Sequence, residues 1–369
     1  MKSVCLPELA LKYKYPYKAL VAMGNRSSKY PLDRMPNELK RLEEQHNIIR
    51  LLFNGNYNAP LEEALRRGIR VLDAGCGSGI WTLEMSKHYP ASQFIGTDFR
   101  RHILPNSPLP PNCLFLDADT VKGLPFSDNT FDFVFQRLMW PSFSRLQWNI
   151  ALKELVRVTK PGGIIELVEL EAKIERAGLT KKDWLSQLSH ITDATLSFQH
   201  LVDAKFKVRG IDMSVTHRLP RLAARHLENV YKNCVACPLG WNGQVGDQAI
   251  DAYMNFMAAL VDQLAPEMGL SKEEYKQLLD RKASDYGENR AWMTMLYVYG
   301  AKRMKNAKQK SLVTHDYRYD GADLADSQCL PPHLRHAFAP QKLVEHDYDA
   351  KNIANNKHEV TLLGACARE

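Results

Sequence analysis

The stretch Val71-Leu72-Asp73-Ala74-Gly75-Cys76-Gly77-Ser78-Gly79 constrains the fold of this chain more than any other. Apolar residues run into a turn with glycine at every second position, and Ile80-Trp81-Thr82-Leu83-Glu84-Met85 then has the character of a helix. A strand, a glycine loop and a helix in this order build the sheet edge where a nucleotide-like ligand approaches the backbone. Glycine serves there because it adopts positive φ and places no Cβ between ligand and main chain. The spacing is G-x-G-x-G rather than G-x-G-x-x-G, so the loop alone does not separate one such ligand from another.

The sequence around the loop repeats its logic. Strands are expected at Arg70 to Ala74, Gln93 to Asp98, Cys113 to Asp117, Phe131 to Gln136 and Ile164 to Leu170. Between the last two, Leu146 to Thr159 has helical spacing, with Trp148, Leu152, Leu155 and Val156 placed for burial. Lys160-Pro161-Gly162-Gly163 stops that helix, a basic last turn followed by breakers. Alternating strands and helices imply a parallel sheet covered on both faces. Before it, Pro36 to Phe53 reads as a helix. After Ala172 the pattern turns helical, at Lys182 to about Phe198, Leu219 to His226, Asp247 to Leu264 and Ser271 to Arg281. Two further strands are expected around Asn229 to Cys237 and Trp292 to Gly300, and from about Ala307 the chain is polar and irregular.

Acidic residues end three of the strands. Asp73 precedes the first glycine by two positions, where a carboxylate would repel a pyrophosphate but welcome a ligand carrying an ammonium and a sulfonium. That charge preference points toward S-adenosylmethionine and away from NAD or ATP. Asp98 is placed to accept from both hydroxyls of a ribose, which would serve NAD equally. In Asp117-Ala118-Asp119 a carboxylate can accept from an adenine amine while a backbone N–H reaches a ring nitrogen. Any one of these acids would serve as a helix cap or turn residue. Three on consecutive strand ends converge on one edge of a sheet.

Val71 to Gly79, Gly96-Thr97-Asp98, Asp117-Ala118-Asp119, Leu124 to Asp132 and Leu155 to Gly163 follow in the order of the motifs of class I S-adenosylmethionine-dependent methyltransferases, which residues 70–171 resemble. Tyr30-Pro31-Leu32-Asp33, Gln45-His46, Gly79-Ile80-Trp81, Pro238-Leu239-Gly240-Trp241 and Tyr297 to Lys302 resemble the fungal LaeA-like (UMTA-like) group associated with secondary metabolism. The resemblance implies a Rossmann-like α/β fold, a seven-stranded mostly parallel sheet with helices on both faces, whose last strand is antiparallel and inserted beside the fifth. It implies a helical N-terminal arm (1–68), a cofactor-binding core (69–171), a helical substrate-covering region carrying the last strands (172–303) and a polar extension (304–369). Asp73 with Gly75, Cys76, Gly77 and Gly79 would hold the methionine portion of S-adenosylmethionine, Asp98 the ribose, and Asp117 with Ala118 the adenine. Phe99 would cover the adenine face. Gln136 and Arg137 leave the fourth strand where the reactive methyl should sit, although Arg137 would equally suit a surface ion pair.

Methyl transfer is an in-line displacement, and a protein base is needed only for a protonated acceptor. His46, Tyr30 and Glu169 are the candidate bases. A histidine on an apolar helical face is more often a hydrogen-bonded packing residue. The expected acceptor is a small molecule. A regulatory role through protein partners, or methylation of protein or nucleic acid, is the alternative. The net charge of +7 over 369 residues gives no evidence for nucleic acid. Lysines interleaved with tyrosines at residues 12–18 would suit stacking on bases, or an N-terminal arm packed on the domain. With no apolar run of membrane length and no secretory leader, the expected location is cytoplasmic or nuclear. Seven scattered cysteines suit reduced thiols, and Cys234 with Cys237 lacks the other ligands of a structural zinc.

Overall fold

The computed structural model describes residues 38–100, 108–177, 206–208, 210–211 and 214–304. In chain order its strands are β1 (Arg70–Ala74), β2 (Gln93–Asp98), β3 (Cys113–Asp117), β4 (Phe131–Arg137), β5 (Thr159–Glu175), β6 (Leu227–Pro238) and β7 (Trp292–Lys302). They form one sheet in the order β3-β2-β1-β4-β5-β7-β6. The first five strands are parallel, while β7 runs antiparallel to both β5 and β6. This is the seven-stranded, mostly parallel arrangement expected, with the last strand inserted beside the fifth. The direction of winding reverses between β1 and β4. Their carboxyl ends therefore open the crevice in which α/β sheets bind ligands.

Alternation along each strand sends neighbours to opposite faces and builds two cores. Leu72, Val134, Leu167 and Leu296 face α4 (Arg145–Val158) and α5 (Val215–Ala224), where Trp148, Leu155 and Leu219 are buried. Val71, Phe133, Val168 and Met295 face the other way, toward α1 (Glu38–Phe53), α2 (Glu62–Arg67) and α3 (Ile80–His88). Trp81 of α3 stacks on Phe135 with ring centroids 4.2 Å apart. A third apolar cluster joins Ile48 and Leu52 of α1 to Ala249 and Ile250 of α6 (Gln244–Ala258) and Tyr286 of α7 (Lys272–Glu288). Capping boxes start α4 at Ser144 and α7 at Ser271, each satisfying otherwise orphaned N–H groups.

The boundaries differ from expectation in a few places. β5 starts at Thr159, not Ile164, because Thr159 pairs with Phe131 before the register shifts and the Lys160–Gly163 segment bulges. The strand also continues through Glu175, past the expected core boundary at 171. α5 begins at Val215 and carries Pro220 within it, its buried stripe of Val215, Leu219 and Leu222 outweighing the proline. α6 ends at Ala258, and a separate helical turn spans Val261–Leu264. The helix expected at 182–198, the arm before Glu38 and the tail beyond Met304 lie outside the described residues.

Cys234 and Cys237 both sit on β6 but face different cores, as an odd separation on a strand requires, so they do not converge on a metal. Cys234 is disulfide-bonded, against the expectation of a reduced thiol, while Cys76, Cys113 and Cys237 are free. Among the described residues no cluster has metal-binding composition, and no helix is long and apolar enough to cross a membrane.

Candidate active site

One cleft runs from the carboxyl ends of β1, β2 and β4 to the far edge of the sheet, and its two ends differ chemically. The polar end is lined by Asp73, Gly75, Cys76, Gly77, Ser78, Asp98, Phe99 and Arg137. The glycine loop is tied down by the Gly75 and Cys76 N–H groups, which donate to the Thr97 carbonyl at 2.7 and 2.9 Å. Gly75 has φ +81°, a left-handed conformation that favours glycine, and the Met139 side chain packs against its Cα, 2.6 Å from where a Cβ would stand. Asp73 is 4% exposed and accepts from the Thr82 hydroxyl at 2.6 Å. Burial raises its pKa to about 6.

Asp98 is saturated on one side. Its Oδ1 accepts from the Arg100 backbone N–H at 2.8 Å and from Arg100 Nε at 3.2 Å, while Oδ2 accepts from Gly77 N–H at 3.0 Å. Acceptor capacity remains on Oδ2. A diol taking both oxygens would require Arg100 to release Oδ1. Arg100 Nη1 lies 3.6 Å from Glu38, which also holds Arg41 at 2.7 Å, so the first turn of α1 is pinned to the end of β2. The Arg100 guanidinium sits 5.9 Å from the centre of the Phe99 ring.

The remaining predicted cofactor residues are close by but outside this wall. Asp117 is the register partner of Asp98, and the Ala118 N–H donates to the Asp98 carbonyl at 3.1 Å. Asp119 caps the following turn through the Val121 N–H. Gly79 starts α3 in the left-handed conformation. Gln136 and Arg137 point to opposite faces of β4. Arg137 lines the cleft, whereas Gln136 is buried on the Val134 face, its Oε1 without a hydrogen-bond partner.

The apolar end is a chamber that sequence reasoning missed. It is walled by Ile48, Ile49, Met139, Trp140, Leu170, Ala172, Cys237, Met293 and Met295, and roofed by Ala249, Ala252, Tyr253, Phe256 and Met257 of α6. The α6 residues stand at i, i+3, i+4, i+7 and i+8, one helical stripe. A cleft wall and a packed core give the same stripe, so only the placement of α6 over the sheet distinguishes them.

Two of the three candidate bases, His46 and Glu169, are engaged by other partners. His46 is 1% exposed and absent from the cleft wall. Its Nε2 lies 2.6 Å from Glu84 and its Nδ1 3.2 Å from Arg137 Nη2, which occupies both ring nitrogens. Burial, with Arg137 next in importance, lowers its pKa to about 4, so the ring is neutral, donating to Glu84 and accepting from Arg137. Glu169 is fully buried and accepts the backbone N–H groups of Met139 and Trp140 at 2.8 and 3.0 Å. Burial raises its pKa to about 8 against those two donors. The carboxyl thus anchors the segment leaving β4. Glu166, on the opposite face of β5, anchors the Asn58–Ala59 backbone in the same way. Tyr30 lies outside the described residues.

An aminoacyl nucleoside carrying a sulfonium fits the polar end on these observations. Asp73 supplies a buried negative charge, and Gly75 and Gly77 leave the backbone bare. Ser78 Oγ is buried in the wall with no hydrogen-bond partner. A buried polar atom of this kind calls for a ligand or water.

Residues 71–163 match the family described as a methyltransferase domain. The chain is similar to the N-methyltransferase verN of Clonostachys rogersoniana, with 30% identity over 150 residues, 40% of this chain and 52% of that protein. The secondary metabolism regulator laeA of Coprinopsis cinerea is 28% identical over 46% of this chain and 42% of its own length. Methyltransferase str2 of Strobilurus tenacellus is 25% identical over 299 residues, 78% of this chain and 100% of that protein. The chain spans about half the length of the first of these relatives.

Proposed function

We propose that this chain, which carries a class I S-adenosylmethionine-dependent methyltransferase domain resembling the LaeA-like secondary-metabolism group, moves a methyl group to a small, largely apolar acceptor. The observation carrying the reading is that the polar end and the apolar chamber belong to one continuous cleft. S-adenosylmethionine supplies a methyl already activated by its sulfonium. The protein's share is to align the partners and exclude water. Asp73 and Asp98 at the ends of β1 and β2 would hold the aminoacyl and ribose portions. Asp117 and Ala118, just outside the cleft wall at the end of β3, would hold the adenine, although the Ala118 N–H expected to reach the ring is donated to the Asp98 carbonyl. The Met139–Trp140 backbone, fixed by Glu169, stands where the two ends meet. α1 and α6 close the chamber with apolar side chains, favouring an acceptor that buries a hydrophobic body.

The test is transfer of labelled methyl groups from S-adenosylmethionine into a cell extract, fractionated by molecular class. Label in organic-extractable small molecules is the expected result. Label confined to protein or nucleic acid would overturn the acceptor class. Calorimetry supplies the other half: S-adenosylmethionine binding that survives Asp73→Ala undiminished would remove the polar end from the reading. The likeness to laeA, named a regulator, favours a second reading in which the domain acts through protein partners. A regulator of that kind would retain its partners and its biological effect in Asp73→Ala after cofactor binding is lost.

A further inference from the structure

Arg137 ends β4 half-buried and lines the cleft, and its surroundings are unusual for a cation shielded from solvent. Among the described residues no carboxylate lies within ion-pair distance of it. Its hydrogen-bond partner is the neutral His46 Nδ1 at 3.2 Å. Guanidinium offers five N–H donors in a planar fork shaped to grip a carboxylate with two parallel bonds. Here a single donor engages an imidazole and the others remain for a ligand. His46 is in turn fixed by Glu84 of α3 at 2.6 Å, and Arg50 of α1 lies 3.6 Å from the other oxygen of Glu84. Three elements thus hold one cation at the cleft wall.

On the adjacent strand, Asp73 is the register partner of Phe135, two positions before Arg137 on the same face of β4. The cleft therefore presents a carboxylate and a guanidinium from the same face of neighbouring strands, two positions apart in register. A ligand complementary to that pair is a zwitterion, and an α-amino acid is one. From this geometry we infer that Arg137 binds the α-carboxylate of the cofactor's aminoacyl tail opposite the Asp73–ammonium contact, with His46 as the residue that positions Arg137. The inference rests on the cleft's being the methyl donor's site. It gives His46 a role in ligand recognition in place of base catalysis.

An acceptor carboxylate offers the same chemistry, so the experiment must separate the two sources. Isothermal titration of the full chain, without acceptor, compares S-adenosylmethionine with its decarboxylated form, which keeps the ammonium and sulfonium. Wild type should bind S-adenosylmethionine at least tenfold more tightly than the decarboxylated ligand. Arg137→Gln should bind both about equally, at the level wild type shows for the decarboxylated one. Arg137→Lys retains the charge without the fork and should leave an intermediate ratio, which keeps the test alive if the glutamine variant misfolds. His46→Gln should shrink the ratio while both ligands still bind, an effect that simple loss of stability would not produce. A ratio near one in wild type, or an undiminished ratio in Arg137→Gln and Arg137→Lys, overturns the assignment and leaves the methyl-donor reading intact. Failure of wild type to bind either ligand overturns both.

Discussion

The polar end of the cleft is assembled from residues close together in the chain, Asp73 to Asp98, with Arg137 from the neighbouring strand. The apolar end draws on α1, β5, β6, α6 and β7, spread from Ile48 to Met295. The first is fixed by backbone geometry: strand ends in register, a glycine turn hydrogen-bonded to β2, and an acid oriented by two main-chain N–H groups. The second is fixed by side-chain packing, and it is rich in methionine, which adapts to irregular shapes. The polar end accordingly tolerates little change. The apolar end can be reshaped without disturbing the sheet. Recognition of the donor and of the acceptor should therefore respond to mutation separately, and that separation can be broken experimentally.

The largest effect is expected at Asp98. Asp98→Ala removes the acceptor for Gly77 N–H and for two Arg100 donors, and takes away the carboxylate intended for the ribose. Hydrogen bonds to a charged group contribute about 1.5–3 kcal/mol each. Loss of two ligand contacts should raise the dissociation constant for S-adenosylmethionine by more than about 100-fold. Asp98→Asn keeps an acceptor oxygen for Gly77 and should fall between wild type and Asp98→Ala. Calorimetry checks both. An Asp98→Ala protein that melts normally and binds with unaltered affinity would show that the polar end does not hold the nucleoside.

His46 lies outside the cleft wall, bonded to Arg137 of the polar end and carried on α1 beside Ile48 and Ile49 of the apolar end, and its titration tests that link. Its folded pKa of about 4 lies below the ordinary 6.5. As pH falls below 6.5 the unfolded chain takes up a proton that the folded protein refuses until near 4. Its contribution to stability is complete above 6.5 and is lost progressively toward 4. By linkage this one group should lower folding stability by about 2 kcal/mol between about pH 7.5 and pH 5. Urea denaturation at the two pH values measures the drop, and His46→Gln should flatten the profile by the same amount. An unchanged slope in the variant would mean that the ring is not held neutral between Glu84 and Arg137.

The same division explains what the sequence made legible. The strand–loop–helix at Val71 to Met85 and the acids at 73, 98 and 117 are local patterns, and the parallel sheet places them along one edge. The breaker run Lys160-Pro161-Gly162-Gly163 concealed the start of β5, because a bulge allows Thr159 to pair where the residue types suggest a stop. His46 and Glu169 have the chemistry of bases, yet Glu84, Arg137 and the Met139–Trp140 backbone determine what they do, and those partners come from distant segments. The α6 stripe was hidden for a different reason. Apolar residues at helical spacing report that a face is covered by something, and a packed core and a ligand chamber satisfy the pattern equally.

The smallest expected effect is the most direct test of that stripe. Ala252 lines the chamber from α6, and Ala252→Leu adds three carbons to the apolar end, away from Asp73 and Asp98. A pocket that discriminates by shape changes its preference roughly tenfold or more per misplaced methylene-sized group. Methyl transfer into the extract should therefore fall about tenfold, while the affinity for S-adenosylmethionine stays within about twofold, since distant sites act additively. Ala249→Leu, one turn earlier on the same face, should act in the same direction, with a larger stability cost because Ala249 is buried in the α1–α6 cluster whereas Ala252 is only partly buried against it. Donor affinity that fell in step with transfer would mean that pressure on α6 reaches the glycine loop through α1, whose Arg41 and Leu42 line the same cleft. The two ends would then be one recognition unit, with acceptor shape setting how tightly the donor is held.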